Sequence, residues 1–196
     1  MTRINFSILL IISQLSLVQK NWAEIDLQAP VPYVDFALGL SVHVLEESDQ
    51  GAASQLLKTA VGIQWLPMIS TQVGMWHWSG TEESNEESNE EEKEKASFEG
   101  ISASWEVVLQ APLESKNDVF NYGPYYRLGR HCWSAVLTGL VQVWSKEGCS
   151  KIQTLGFVFP SVQYEDENAA LYIEFTRSDF DDLSTSSMQL GAKLPF

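Results

Sequence analysis

The chain divides into short runs in which apolar residues recur at every second position, the period of a β-strand whose two faces meet different surroundings. The segment 186–196 (SSMQLGAKLPF) shows this most plainly, with Met188, Leu190, Ala192, Leu194 and Phe196 on one face and Gln189, Gly191 and Lys193 on the other. Residues 33–45 set Phe36, Leu38, Leu40, Val42 and Val44 against Ala37, Gly39, Ser41 and His43. Residues 59–66 repeat it, with Val61, Ile63 and Trp65 opposite Ala60, Gly62 and Gln64, and Pro67 marks a tight turn. In 69–78 the apolar face is Ile69, Val73 and Met75 with Thr71, and the run ends in Trp76, His77 and Trp78. Strand character returns at 98–111, 152–164 and 170–177. Residues 123–144 form a longer segment whose pattern fits either one strand with a protruding hairpin or a strand with a helical turn.

These runs predict eight strands, joined alternately by long or charged loops and by short turns. One face is oily throughout, which suits either a packed second sheet or a bilayer. An even strand number, alternating connection lengths and room for the 9 to 11 residues that cross a tilted bilayer point to the bilayer. The expected fold is all-β, an eight-stranded antiparallel up-and-down transmembrane β-barrel, closed so that no strand edge lies unpaired in lipid. Trp76 and Trp78, at a strand end, are expected at the bilayer interface, where an indole finds both oil and water.

Composition changes this picture in only a few places. A hydrophobic content of 44% is ordinary, and strands that alternate can cross a membrane without any long apolar run. The net charge of −14 argues against nucleic acid as a partner. Much of that charge lies in residues 81–95 (TEESNEESNEEEKEK), which hold eight glutamates and two lysines, so residues 81–96 are expected to form an acidic external loop. Residues 179–184 read as a further acidic loop. Residues 1–23, with Arg3 before an apolar stretch, have the layout of a secretory signal, leaving 24–196 as the barrel. Cys132 and Cys149 are compatible with one disulfide or with free thiols. Their spacing fits no zinc pattern, and His43, His77 and His131 are scattered, so neither a metal nor a cofactor is expected.

The last strands resemble the small eight-stranded outer-membrane β-barrels of the outer-membrane protein A type. The resemblance rests on LYIEFTRSDF at 171–180, the closing LGAKLPF at 190–196 and PYYRLG at 124–129. Pro195 stands where that family more often has a basic residue. The resemblance implies a location in the bacterial outer membrane after signal-dependent export. It also implies insertion by the barrel assembly machinery through a terminal signal at Leu190, Leu194 and Phe196, with outer-membrane lipid and lipopolysaccharide as surroundings and the protein as a monomer.

In the register set by the oily face, Gln64, Gln72, Glu106, Gln110, Arg127, His131, Tyr172, Glu174 and Lys193 point inward. A lone buried charge is costly, so Arg127 and Lys193 are expected to pair with Glu106 and Glu174 in an interior polar network. Local Ser and His pairs, His43 with Ser41 and His131 with Ser134, raise the alternative of a lipid A-modifying enzyme. A soluble lipocalin-like carrier is a second alternative. The reading that fits most residues is a non-catalytic barrel with a structural or surface-interaction role.

Overall fold

The computed structural model describes residues 30–45, 51–82, 96–113, 122–138, 143–159, 162–164 and 167–196. Residues 1–23 and the acidic run 83–95 lie outside them. The strands are β1 (Val31–Leu45), β2 (Gly51–Leu66), β3 (Ile69–Glu82), β4 (Ala96–Gln110), β5 (Gly123–Thr138), β6 (Trp144–Val158), β7 (Val162–Tyr164), β8 (Glu167–Phe180) and β9 (Leu183–Pro195). Eight of them pair antiparallel around a ring, β1-β2-β3-β4-β5-β6-β8-β9, and the ring closes where Tyr33 of β1 meets Pro195 of β9. The three-residue β7 pairs only with the start of β8, in a short hairpin at one end.

Alternation decides which side chains face out. Phe36, Leu38, Leu40 and Val42 of β1 are about half exposed or more, as are Val73 and Met75 of β3, Trp105 of β4, Phe175 of β8 and Leu190 of β9. Their neighbours along each strand are buried, among them Asp35, Ser41, His43, Gln72, Glu106, Arg127 and Glu174. The fold is therefore inside out relative to a soluble sandwich, with oil outside and charge within. Strands of 13 to 16 residues would reach about 50 Å along their axis and about 38 Å at a tilt of about 40°.

The lumen is filled in two layers. Nearer the start of β1 and the end of β9 lie Tyr33, Ala37, Val108, Tyr125, Val158, Ala170 and Tyr172, around the buried charges. The other half holds an apolar plug of Leu56, Trp76, Trp78, Phe98, Trp133, Leu137, Phe180 and Leu183. Trp76 and Trp78 are each 1% exposed and point into this plug, so they do not sit at a bilayer interface. The parity that turns Val73 and Met75 outward turns residues 76 and 78 inward and leaves only His77 of the three facing out.

Three connections differ from expectation. Residues 179–184 are not a loop: Asp181 and Asp182 make a two-residue turn, with Asp181 at φ 61°, between Phe180 and Leu183, which are fully buried. The charged sequence is held tight because its apolar flanks anchor both strands in the plug, and Asp tolerates the left-handed region. The segment 123–144 is β5 together with the first residue of β6, with no helical turn among the described residues. At the terminal end, β4 and β5 are joined by residues 111–122, so connection lengths do not divide cleanly between the two ends.

Candidate functional site

The inward positions of five strands converge on one buried ionic cluster. Lys58 of β2 places Nζ 2.9 Å from Asp35 Oδ2 on β1 and 3.5 Å from Glu174 Oε1 on β8. Arg127 of β5 reaches Glu106 on β4, with Nε 2.8 Å from Oε2, and bonds Glu174 through Nη2. Its Nη1 stands 3.9 Å from Asp35 Oδ2. Each carboxylate also accepts neutral hydrogen bonds. Glu106 takes Ser104 Oγ at 2.6 Å and Gln72 Nε2 at 3.0 Å. Glu174 takes Tyr125 OH at 2.5 Å, and Asp35 takes Tyr172 OH. Burying ions is tolerable only when partners and hydrogen bonds replace water, and here each carboxylate has both.

Of the residues marked by the sequence, Glu106, Arg127 and Glu174 come together. Lys193 lies in the same layer but forms no ion pair with Glu106 or Glu174. It stands beside Asp35 across the β1/β9 ladder, with Nζ 5.3 Å from the ring centroids of Tyr33 and Tyr125 and 5.8 Å from that of Tyr172. Aromatic faces attract a cation in this position. Asp35 and Lys58 were missed as members of the cluster. Carrying the alternation of β1 and β2 one step beyond Ala37 and Ala60 reaches both.

Three tyrosines frame the cluster, each directly opposite a glycine: Tyr33 with Gly62, Tyr125 with Gly156 and Tyr172 with Gly191. A side chain added at any of these glycines would strike the facing ring. The absent Cβ therefore lets each ring lie flat on the neighbouring strand and aim its hydroxyl into the lumen.

The histidine candidates are enclosed and partnered elsewhere. His43 is fully buried, stacked on Phe98, with Nδ1 2.8 Å from Thr185 Oγ1 and Nε2 2.7 Å from Ser54 Oγ, so Ser41 is not its partner. His131 is also fully buried, with Nε2 3.0 Å from Ser150 Oγ, whereas Ser134 faces outward on the opposite side of β5. Among the described residues no group of three or more His, Cys, Asp or Glu side chains could hold a metal ion.

On the outer wall, Cys132 and Cys149 are bonded directly across β5 and β6, with Cα atoms 4.0 Å apart. Leu190 and Phe196 face outward and Leu194 is half buried; Leu190 is paired with Leu38 and Ile173, Leu194 with Val34, and Phe196, just past β9, donates its N–H to Pro32 O at 3.1 Å. At the rim, Asp182 accepts bonds from Lys146 Nζ at 2.8 Å and Trp144 Nε1 at 3.1 Å. The bond from Lys146 holds the Asp182 carboxyl below its ordinary pKa.

No family model and no curated protein matches the sequence. Among solved structures the chain is similar to Neisserial surface protein A, at 8% identity and TM-score 0.59, over 86% of this chain and 100% of that one. It is also similar to Ail, the attachment invasion locus protein of Yersinia pestis, at 15% identity and TM-score 0.52, over 86% of this chain and 100% of that one. A second Ail structure, in complex with the heparin analogue sucrose octasulfate, matches at 13% identity and TM-score 0.51, over 84% and 99%. The shared feature is the fold, a closed eight-stranded barrel.

Proposed function

We propose, starting from this small-barrel fold, that the chain resides in a bacterial outer membrane as a non-catalytic barrel with a structural or surface-interaction role. The observation that carries the reading is the inversion of its two faces. The wall exposes a belt of large apolar side chains that water would not tolerate on a monomer, while the lumen is closed by an ion cluster and an aromatic plug. The belt suits outer-membrane lipid and lipopolysaccharide as surroundings. Leu190, Leu194 and Phe196 on the closing strand are the proposed signal to the barrel assembly machinery.

A carrier would need an open apolar cavity, and the apolar half of this lumen is filled by packed rings. A hydrolase would need its Ser and His at an accessible surface, and His43 and His131 are sealed inside. The polyanion bound to Ail is a poor guide to a ligand of the external connections here, because the acidic run 81–95 opposes polyanions there.

The test is to express the full chain in a Gram-negative host, then follow gel mobility with and without boiling and treat intact cells with protease. A heat-modifiable band in the outer-membrane fraction, with cleavage confined to residues 81–96, is the expected result. Recovery as a soluble periplasmic protein at full yield would overturn the reading. Acyl release from lipid A, lost in His43→Ala or His131→Ala, would favour catalysis instead.

A further inference from the structure

The exposed cations among the described residues are not spread around the wall. They are Arg130, Lys146, Lys151 and Arg177, on three strands that adjoin in the barrel, β5, β6 and β8. Lys146 is engaged at the rim by Asp181 and Asp182, at 3.1 and 2.8 Å. The other three lie where the oily belt ends, Arg130 and Lys151 on one rung and Arg177 one outward position nearer the belt. Arg130 follows Leu128 on the outward face of β5, Arg177 follows Phe175 on β8, and on β6 the outward order is Leu155, Gln153, Lys151. Further out on β6 comes Glu147, while Asp179, the next outward residue after Arg177 on β8, lies one residue past the Ile152–Ser178 pair, beside Lys151. From the oily belt outward, this side of the wall therefore reads apolar, then three cations with the carboxylate of Asp179 at their edge, then Glu147.

Arg130 and Lys151 are direct cross-strand partners, and Gln153 is the partner of Arg177. Like charges placed directly opposite destabilise a ladder. Among the described residues neither Arg130 nor Lys151 forms an ion pair that would relieve this. Their next outward rung is the disulfide, and Glu147 lies one rung beyond it, opposite Ser134. Arg177 has only an exposed contact at 3.8 Å, to Asp179, a weak pair in water. An anion resting over the three cations would remove the conflict.

Directly below them the wall is concave. A groove of ≈ 580 Å³ runs between β1, β9, β8, β6 and β5, lined by Leu40, Tyr126, Leu155, Phe175 and Met188, with Gln153 and Arg177 among its lining residues. An oily trough headed by positive charge at the level of lipid headgroups is complementary to an acylated lipid bearing phosphate. We propose that this face is a binding site for a phosphorylated lipid of the outer leaflet, its phosphate on Arg130, Lys151 and Arg177 and an acyl chain in the groove. The proposal rests on the membrane reading above and adds to it a defined lipid site.

The test is native mass spectrometry of the full chain folded in detergent micelles, titrated with diphosphorylated lipid A and, separately, with the same lipid stripped of phosphate. Each cation near such a surface is worth about fivefold in affinity, so Lys151→Gln should bind about fivefold more weakly and R130Q/K151Q/R177Q about a hundredfold. Lys146→Gln should bind as the wild type does. Wild-type binding that is insensitive to phosphate removal would overturn the site, as would unchanged binding in Lys151→Gln with heat-modifiable mobility intact. Failure of the wild type to fold in micelles at all would remove the membrane reading and the site together.

Discussion

Arg127 meets carboxylates from two directions, Glu106 on the adjoining strand and Glu174 across β6, and its guanidinium is the only group spanning them among the described residues. Replacing it by alanine leaves two buried carboxylates without their shared cation, a loss typically costing about 3–5 kcal/mol. Arg127→Ala should therefore lower the urea midpoint of refolded protein in vesicles by a corresponding amount. Arg127→Lys should recover only part of the loss, because a point charge cannot fork between two acids. Unchanged midpoints would mean that the cluster adds nothing to stability. With Asp35, Lys58 and Lys193 included, three carboxylates face three cations, so the layer is neutral as a whole although each member is buried.

Strands hold that layer in place through their registers, and the tyrosine and glycine pairs are where register and chemistry meet. Gly191→Val should push Tyr172 off β9 and break its bond to Asp35, costing roughly 1–3 kcal/mol by overpacking. The check is the same urea transition, with Gly191→Val paired with Tyr172→Phe. If the two losses add in full, the glycine and the hydroxyl act independently. Much at this scale was legible beforehand. Alternation alone turns Glu106, Arg127, His131 and Glu174 inward and Leu190 and Val73 outward. Where it was overruled by residue type, the reading went astray. Trp76 and Trp78 were assigned by their chemistry to an interface although their parity already placed them inside. The acidic residues near 181 were read as a loop although Phe180 and Leu183 anchor both sides. What no period can reveal is which inward residues from distant strands share a level. That depends on the stagger of eight ladders, which is why Lys193 lies over tyrosine rings and apart from Glu106.

For the molecule as a whole, the two fillings of the lumen make a closed cylinder with different chemistry at its two ends. The ionic layer sits towards the start of β1 and the end of β9 and the aromatic layer towards the turn at Asp181 and Asp182, so each half is held by a different kind of interaction. Salt should perturb neither half strongly, since buried pairs are poorly screened. Apart from Trp144, which is partly buried at the rim and stacked on Trp133, the tryptophans among the described residues fall into two populations. Trp65 and Trp105 lie 45% and 57% exposed on the outer wall, while Trp76, Trp78 and Trp133 are sealed in the lumen. The chain thus carries its own optical depth gauge. In vesicles of brominated lipid, the emission of Trp65 and Trp105 should be quenched while the lumenal rings keep theirs, and Trp65→Phe with Trp105→Phe together should remove most of the quenchable fraction. Fluorescence that bromine extinguishes completely would place the plug in contact with the acyl chains, and the barrel would have to be redrawn.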